Sequence, residues 1–255
     1  CMGLLACSAS SVTIEGKDGI NRQKEYYLYG CQAGSLIPIA SALIDSNGCF
    51  RLNVPLPQEG FYLLGTEQGV MHPFYLKGNE TIRLRFQTNG MILEGEQTPE
   101  NQALSQWEQA ATLVREHAFL YERFGGGYST DPATFTQELE DLLRVRQQLK
   151  PEKATGNATF NSLLKAKMEA DVDFYALAYL QRNAGNLSDT IRLSNYYQKM
   201  QPEKTLQQPA LLQLPYAGEM LRTYVWYKYG DPIELREAFK YKSTCLIDST
   251  FQQHY

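Results

Sequence analysis

The sequence has no long apolar run, few cysteines and no excess of positive charge. No stretch of about 18 or more apolar residues occurs, so no membrane-spanning helix is expected. There are 24 lysines and arginines against 28 aspartates and glutamates, and this net charge of −4 argues against nucleic acid as a partner. Five scattered cysteines are too few for a disulfide-stabilised scaffold. At 255 residues and 43% hydrophobic content, the chain can form one large or two modest globular domains.

Signals for catalysis and for metal binding are scarce as well. His72, His117 and His254 lie in different predicted elements and show no metal-ligand spacing. The sequence contains no Cys-x-x-Cys pair, no nucleophile elbow and no phosphate-binding loop. We therefore predict no catalytic residue, no bound metal and no cofactor.

Glu169, Asp171 and Asp173 form the only acidic cluster that could carry chemistry. On a helix, Glu169 and Asp173 share one face and Asp171 points away from it. A metal site would need further oxygen ligands, and a hydrolase centred on Glu169 and Asp173 is one alternative. We favour a solvated helix face beside Lys165 and Lys167 as the explanation.

The first part of the chain has the pattern of short strands separated by turns. Residues 81–86 alternate strictly between apolar and polar, which is typical of a half-buried strand. The pairs Asn47-Gly48, Gly78-Asn79 and Asn89-Gly90 are suited to tight type I′ turns. Further strands are predicted at residues 12–15, 25–29, 36–44, 49–54, 61–65, 70–76 and 91–94. This spacing predicts an antiparallel β-sandwich or barrel over residues 12–97.

From residue 98 onward, apolar residues recur at helical spacing. Thr98-Pro99 and Asp131-Pro132 each have the pattern of a helix N-cap followed by proline at the first helical position. Helices are predicted from 99 to a break at 124–128, from 132 to 150, and at 158–183, 188–200, 215–229 and 232–241. The fold class predicted is therefore α+β, with an N-terminal antiparallel β domain followed by an all-helical domain over residues 98–255.

The first residues resemble the end of a bacterial lipoprotein signal peptide. Leu4-Leu5-Ala6-Cys7 is followed by a polar, serine-rich stretch, as in the cleavage box that leaves a lipid-bearing cysteine at the mature N-terminus. Residues 1–11 would then be a signal-peptide remnant and tether, with the lipid on Cys7. This predicts a protein of the bacterial cell envelope, facing the periplasm or the outer surface, that contacts the membrane only through its lipid anchor. A mildly apolar N-terminus without this role is the alternative.

Three tyrosines of one predicted strand and two cysteines each have a functional and a structural interpretation. Tyr26, Tyr27 and Tyr29 crowd one predicted strand, and tyrosines can present a surface on which a glycan or a peptide stacks. Packing between layers is the other interpretation, and we favour it. Cys31 and Cys49 could form a disulfide in an oxidising envelope, or remain two thiols, since sequence does not establish the required geometry.

The order of motifs resembles the small β-rich N-terminal domain, of unknown function, of thioredoxin-like (TlpA/ResA-like, AhpC/TSA) thiol–disulfide oxidoreductase lipoproteins of the bacterial envelope. The resemblance covers about 90 residues of the chain. The matching segments are Glu25-Tyr-Tyr-Leu-Tyr29, Leu36-Ile-Pro-Ile-Ala-Ser41, Ile44-Asp-Ser-Asn-Gly48, Phe50-Arg-Leu52, Pro57-Gln-Glu-Gly-Phe-Tyr-Leu63, Phe74-Tyr-Leu-Lys-Gly-Asn-Glu-Thr-Ile82, Leu93-Glu-Gly95 and Glu100-Asn101.

The resemblance implies a non-catalytic region of such a protein. The family's Trp-Cys-x-x-Cys motif and its βαβ pattern are absent, so no redox residue can be assigned. Residues 98–255 would be a spacer before a thioredoxin-like domain that we expect to follow Tyr255. The region would act as a scaffold, dock a protein client or form a homodimer, for instance through an exposed sheet edge. The alternative function is a stand-alone envelope lipoprotein that binds a glycan or a peptide through exposed tyrosines.

Overall fold

The computed structural model describes residues 11–19, 25–55, 58–66, 71–87, 90–123, 130–183 and 195–229. Over these residues the chain is α+β, with strands in two sheets followed by helices, as the sequence predicts. All eight predicted strands are present in the described part. They are β1 Ser11–Asp18, β2 Glu25–Gln32, β3 Ser35–Leu43, β4 Cys49–Pro55, β5 Gly60–Gly65, β6 His72–Leu76, β7 Glu80–Gln87 and β8 Gly90–Glu94.

The strands form two separate sheets of four. The first sheet has the order β4-β1-β7-β8, and the second has the order β3-β2-β5-β6. The described strands form no closed barrel. The prediction of purely antiparallel pairing is wrong at one place, because β1 and β7 run parallel. Turn signals in the sequence report only on consecutive strands, and these two strands are separated by five others.

Alternate residues of both sheets contribute to one hydrophobic core. Tyr26 of β2 stacks on Phe50 of β4 and on Phe86 of β7, with ring centroids 4.6 and 4.3 Å apart. These contacts join the two sheets, and each stacked pair adds about 0.5–1.5 kcal/mol to the free energy of area burial. The remaining buried members of the core are Val12, Ile14, Leu28, Leu52, Val54, Tyr62, Leu64, Phe74, Leu76, Ile82 and Leu84.

The connections between the sheets define two ends of this strand region. β6 of the second sheet continues into β7 of the first through residues 77–79 alone. Ser11 lies at this end too, because β1 runs parallel to β7 with Val12 opposite Glu80. We call it the Ser11 end. At the opposite end, called the Asp18 end, the backbone N–H of Asp18 donates to the carbonyl oxygen of Gly48 at 2.7 Å.

The turns agree with the sequence only in part. Gly78 and Asn79 both have positive φ, 93° and 57°, as a type I′ pair requires. At residues 47–48 only the glycine has a positive φ, so the type I′ prediction is wrong there. The β2–β3 turn uses Ala33 and Gly34 with φ of 50° and 75°. The sequence did not indicate this turn, because alanine seldom adopts positive φ.

In the second sheet, β5 is buried on both faces, and so are residues 74–76 of β6. Every residue of β5 is buried, and Phe61 packs edge to face with Tyr75 of β6 at a centroid distance of 5.8 Å. The Asn101 side chain accepts a hydrogen bond from the Tyr75 backbone N–H at 2.7 Å and donates one to the Tyr75 carbonyl at 3.0 Å. The amide thereby satisfies backbone groups on the edge strand β6, which would otherwise be open for pairing.

The helices begin where the caps predict. Thr98 Oγ1 accepts a hydrogen bond from the Asn101 backbone N–H at 3.3 Å, and Asp131 Oδ1 accepts from the N–H groups of Ala133 and Thr134. The described helices are α1 Pro99–Arg123, α2 Pro132–Leu149, α3 Ala158–Arg182, α4 Asn195–Lys199, α5 Pro202–Leu206 and α6 Ala217–Tyr229, with 3₁₀ turns at Pro151–Lys153 and Pro209–Gln213.

The third helix is the centre of the helical part. Of its 25 residues, 18 are buried, and from Ala170 to Leu180 every residue is buried. This second half of the helix therefore lies inside a bundle and has no solvated face, whereas Ser162 and Lys165 in the first half are exposed. The helices α2, α5 and α6 pack against it.

The chain divides into two compact units, and the division lies between Leu104 and Ser105, inside α1. We refer to them as the β unit and the helical unit. Among the described helices, none is both long enough and apolar enough to cross a membrane. Several predicted features lie outside the described residues, namely Cys7 with the rest of residues 1–10, His254, Asn89 of the third turn pair, and residues 188–194 and 232–241 of the predicted helices.

Candidate functional site

An open groove of about 500 Å³ lies over the outer face of the first sheet. Glu15 of β1 forms ion pairs across it with Arg51 of β4 at 3.4 Å and with Arg83 of β7 at 3.1 Å. Lys17 and Glu94 also line the groove. Exposed pairs of this kind contribute about 0–1 kcal/mol each. The groove is therefore a shallow charged surface, unlike the enclosed apolar pockets that bind small molecules.

The three candidate tyrosines separate onto two faces of β2. Tyr26 is 3% exposed and lies in the core of the β unit, so its ring is no binding surface. Tyr27 and Tyr29 point to the outer face, are half-buried, and have ring centroids 6.0 Å apart. The Tyr27 hydroxyl donates to Glu25 Oε2 at 2.8 Å. Tyr27 and Tyr29 remain the candidates for stacking on a ligand.

The two candidate cysteines are not joined. Both Cys31 and Cys49 are thiols in the structure, so the disulfide that the sequence left open is not formed there. Cys31 lies near the Ser11 end of β2, and Cys49 lies opposite Lys17 at the other end of the first sheet. A disulfide requires the two Cα atoms to be within about 7 Å, which this placement does not allow.

The acidic residues of α3 do not form a solvated face, and that prediction is wrong. Asp171 is 0% exposed, Asp173 is 8% exposed and Lys167 is 7% exposed. Lys165 is exposed, as expected. Asp171 and Asp173 lie in the half of α3, from Ala170 onward, that other elements of the helical unit surround, so both are buried.

Asp171 is the acceptor at the centre of a buried hydrogen-bond network. Trp107 donates its indole N–H at 2.7 Å, and Lys167 donates from Nζ at 2.9 Å. The Tyr216 hydroxyl donates to the second carboxylate oxygen. The Tyr216 ring stacks on Phe174 with centroids 5.2 Å apart, which holds its hydroxyl in place. A buried carboxylate needs such donors because an unpaired charge in the interior is costly.

The network continues through two further charges on α1. Lys167 Nζ lies 2.9 Å from Glu108 Oε1, and Arg115 donates to Glu108 Oε2 at 2.7 Å. Burial by itself lowers the pKa of Lys167, but the carboxylates of Asp171 and Glu108 outweigh it and hold that pKa above its ordinary value. Burial likewise raises the pKa of Glu108, and the two cations outweigh it, so this pKa is lowered. Lys167 and Arg115 thus lie against Glu108 and Asp171, and the formal charges of these two cations and two carboxylates balance. We call these four residues the buried charge network.

The other two acidic residues of α3 have separate partners. Asp173 accepts hydrogen bonds from the hydroxyl of Tyr196 at 2.6 Å and from that of Thr205. Glu169 accepts one from Gln208 at 2.8 Å. Burial raises the pKa of Asp173 by more than its two hydroxyl partners lower it. These contacts bind α4 and α5 to α3, which is a structural role rather than the pairing of two catalytic carboxylates.

The wild-type protein is expected to lose stability between pH 4 and pH 7 as Asp173 ionises. Replacing Asp173 with asparagine is expected to remove that loss. The folded-state pKa of Asp173 is raised, so its contribution is fully present below its unfolded pKa of about 4 and is lost as pH rises through the folded pKa. Asparagine has no such proton. We expect the free energy of unfolding of the variant, minus that of the wild type, to become more positive from pH 4 to pH 7. Urea unfolding at several pH values measures this difference. Glu152→Gln, at an exposed position, controls for the lost charge, and a pH-independent difference for Asp173→Asn would contradict the prediction.

The histidines do not assemble a site in the described part of the chain. His117 Nδ1 lies 2.7 Å from Glu138 Oε2, which links α1 to α2. The ring of His72 lies beside Phe86, 5.5 Å between centroids, in the β unit. Within the described ranges, no three His, Cys, Asp or Glu side chains are grouped so that they could hold a metal ion.

The residues that pair with Asp171 were not predicted from the sequence. Their one signal is that Lys167 precedes Asp171 by four residues, the spacing of a helical ion pair, just before the uncharged, apolar and aromatic run of residues 174–180. Charges that adjoin such a run are buried only when they are paired. The partners on α1 and α6 could not be identified, because their meeting depends on how the helices pack. They are Trp107, Glu108, Arg115 and Tyr216.

No family model, curated protein or solved structure matches this chain. Its resemblance to the envelope oxidoreductases therefore remains a prediction. What the protein does must be argued from its own residues and their geometry.

Proposed function

We propose that this chain is the non-catalytic N-terminal region of a lipid-anchored thiol–disulfide oxidoreductase of the bacterial cell envelope. The β unit would be a β-sandwich and the helical unit a spacer, and together they would serve as a scaffold, a client-docking module or a dimerisation module. The order of motifs in residues 25–101 and the cleavage box ending at Cys7 support the proposal. The anchor would make the membrane contact, and the expected redox domain would do the chemistry.

The proposal that this region is non-catalytic is supported mainly by the burial and the separation of the two described thiols, Cys31 and Cys49. Thiol–disulfide exchange requires a thiolate, and burial raises the pKa of Cys31 to about 11, so little thiolate exists at neutral pH. Cys49, the other described cysteine, is half-buried and lies in the other sheet, where it cannot act as a resolving partner for Cys31. Among the described residues of the helical unit, the members of the buried charge network are occupied by one another, and Asp173 is occupied by two hydroxyl groups. The described residues thus suit a stable framework better than an active centre.

We expect the purified chain to reduce insulin with dithiothreitol no faster than dithiothreitol alone, since its described residues offer no reactive dithiol. Thioredoxin is the positive control. Acceleration of the reaction by this chain would overturn the non-catalytic assignment.

The anchor is tested by expressing the chain behind a complete lipoprotein signal peptide in bacteria. We expect the wild type and Cys31→Ser in the membrane fraction with a diacylglyceryl mass increment. Cys7→Ser should lack that increment and leave the membrane. A wild type without lipid would contradict the proposed localisation.

The stand-alone binding function keeps one supporting observation. Tyr27 and Tyr29 lie side by side on the outer face of the second sheet, and Pro38 of the neighbouring β3, which is opposite Tyr29, is exposed on the same face. Flat aromatic rings beside apolar surface suit a glycan or an extended peptide. Binding on a glycan or peptide array that is lost in Tyr29→Ala, with Tyr229→Ala as the exposed-tyrosine control, would favour this function.

A further inference from the structure

We infer that the Ser11 end of the β unit lies against the lipid headgroups and that the Asp18 end points away from the membrane. The inference rests on the proposed function, because it requires the lipid on Cys7. It adds to that function an orientation and a second membrane contact, made by the protein itself. The partner is the headgroup surface of the bilayer that holds the anchor.

The first step of the argument is the length of the tether. Only residues 8–10 separate Cys7 from Ser11, the first residue of β1. Four residue steps of fully extended chain span at most about 14 Å. A lipid on Cys7 has its acyl chains in the bilayer core, below a headgroup layer about 5–8 Å thick. The start of β1 must therefore lie close to the headgroups, at a distance no greater than about the length of the tether.

The second step is that Ser11 belongs to a rigid end of the β unit. β1 is an inner strand of the first sheet, paired with β4 on one side and β7 on the other. Ser11 is opposite Pro55, and its carbonyl oxygen accepts a hydrogen bond from the Asn79 N–H at 2.8 Å. The strand cannot peel away from the sheet without breaking these bonds. The tether therefore positions the whole end and not a single loose residue.

The second sheet brings its own turn to the same end. Leu76 lies opposite Gly60, and Tyr62 lies opposite Gly30, so the β2–β3 turn at residues 33–34 is also at the Ser11 end. Ser35, the first residue of β3, is exposed there. Ser46 is exposed in the turn at the Asp18 end. The seven steps along the eight residues of β1 separate the two ends by about 23 Å, which exceeds the reach of the tether.

The experiment compares fluorophores at these two serines. Ser35→Cys and Ser46→Cys are made separately in a Cys31→Ser, Cys49→Ser, Cys245→Ser background, so that each lipidated variant has one thiol to label. The lipidated protein is placed in vesicles of phosphatidylethanolamine and phosphatidylglycerol that contain a headgroup-spin-labelled lipid. The expected result is loss of most of the fluorescence at position 35 and little loss at position 46. Inserting about twenty Gly/Ser residues after Ser10 should abolish the difference, because a flexible linker of that length removes the restriction.

The outcomes separate this inference from the proposed function. Mass spectrometry of the same samples first shows whether Cys7 carries lipid. Lipidated protein with equal quenching at both positions, or with stronger quenching at position 46, overturns the orientation and leaves the anchored function standing. Absence of lipid on Cys7 overturns both. Quenching at position 35 that persists after the linker insertion would show that the short tether does not cause the contact. This outcome would also overturn the inference.

Discussion

Lys167→Met is expected to lower the free energy of unfolding by about 3 kcal/mol or more, because it leaves buried carboxylates without their shared cation. Lys167 lies 2.9 Å from both Asp171 and Glu108, and Asp171 is fully buried. Methionine fills a similar volume, so the loss comes from the missing charge rather than from a cavity. Asp171 would keep only the neutral donors Trp107 and Tyr216, and two carboxylates would face Arg115 as their one remaining cation in the network.

Urea unfolding followed by far-ultraviolet circular dichroism measures this loss. Lys165→Met is the matched control, because Lys165 is exposed two residues earlier on the same helix. It should change stability by no more than about 0.5 kcal/mol. Equal effects of the two substitutions would show that the buried charge network does not stabilise the helical unit.

Gly16→Ala is expected to destabilise the β unit by about 2–3 kcal/mol, although alanine adds one methyl group. Gly16 lies opposite Phe50 in the pairing of β1 with β4, and a Cβ on it would lie 2.0 Å from Phe50 Cζ. Phe50 cannot simply move aside, because it stacks on Tyr26, which in turn stacks on Phe86. The added methyl therefore displaces a row of three rings that joins the two sheets.

Two comparisons isolate this steric cause. Gly218→Ala adds the same methyl at an exposed position of α6 with no atom within 4 Å of the new Cβ. It should stabilise the protein by up to about 1 kcal/mol, since alanine is the better helix former. Gly16→Ala should cost less in a Phe50→Leu background, where the ring is gone. An unchanged cost in that background, measured by urea unfolding, would mean that Phe50 is not the obstacle.

The strands were predictable because each one carries its own signal. Residues 81–86 alternate between apolar and polar, and this alternation survives in the structure as β7, with Ile82, Leu84 and Phe86 buried. Period-2 patterning is a local property of a strand with one buried face. Partner strands leave no comparable mark, so the parallel pairing of β1 with β7 was not found. The turn at Ala33 failed for a different reason, because its positive φ is imposed by the flanking strands on a residue that does not prefer it.

The candidate site depended on packing to a greater extent. Sequence reasoning placed Asp171 and Asp173 on a helix correctly but assigned them to solvent. Their environment is decided by α1, α4, α5 and α6, which pack around α3 and whose contacts are distant in sequence. The same is true of Tyr26, which differs from Tyr27 only in the face of β2 that it occupies. The face that becomes the core is chosen by the sheet stacked against it.

By itself, the sequence determined the succession of strands and helices, the caps at Thr98 and Asp131, and the number of residues between Cys7 and Ser11. These follow from local periodicity, capping chemistry and chain length, which involve only residues that are near one another in the chain. Tertiary structure alone decided the order of strands in the two sheets, the burial of Lys167 with Asp171, and the separation of Cys31 from Cys49. Each of these depends on which distant segments meet, and that choice is made by the total burial of apolar surface rather than by any single stretch of residues.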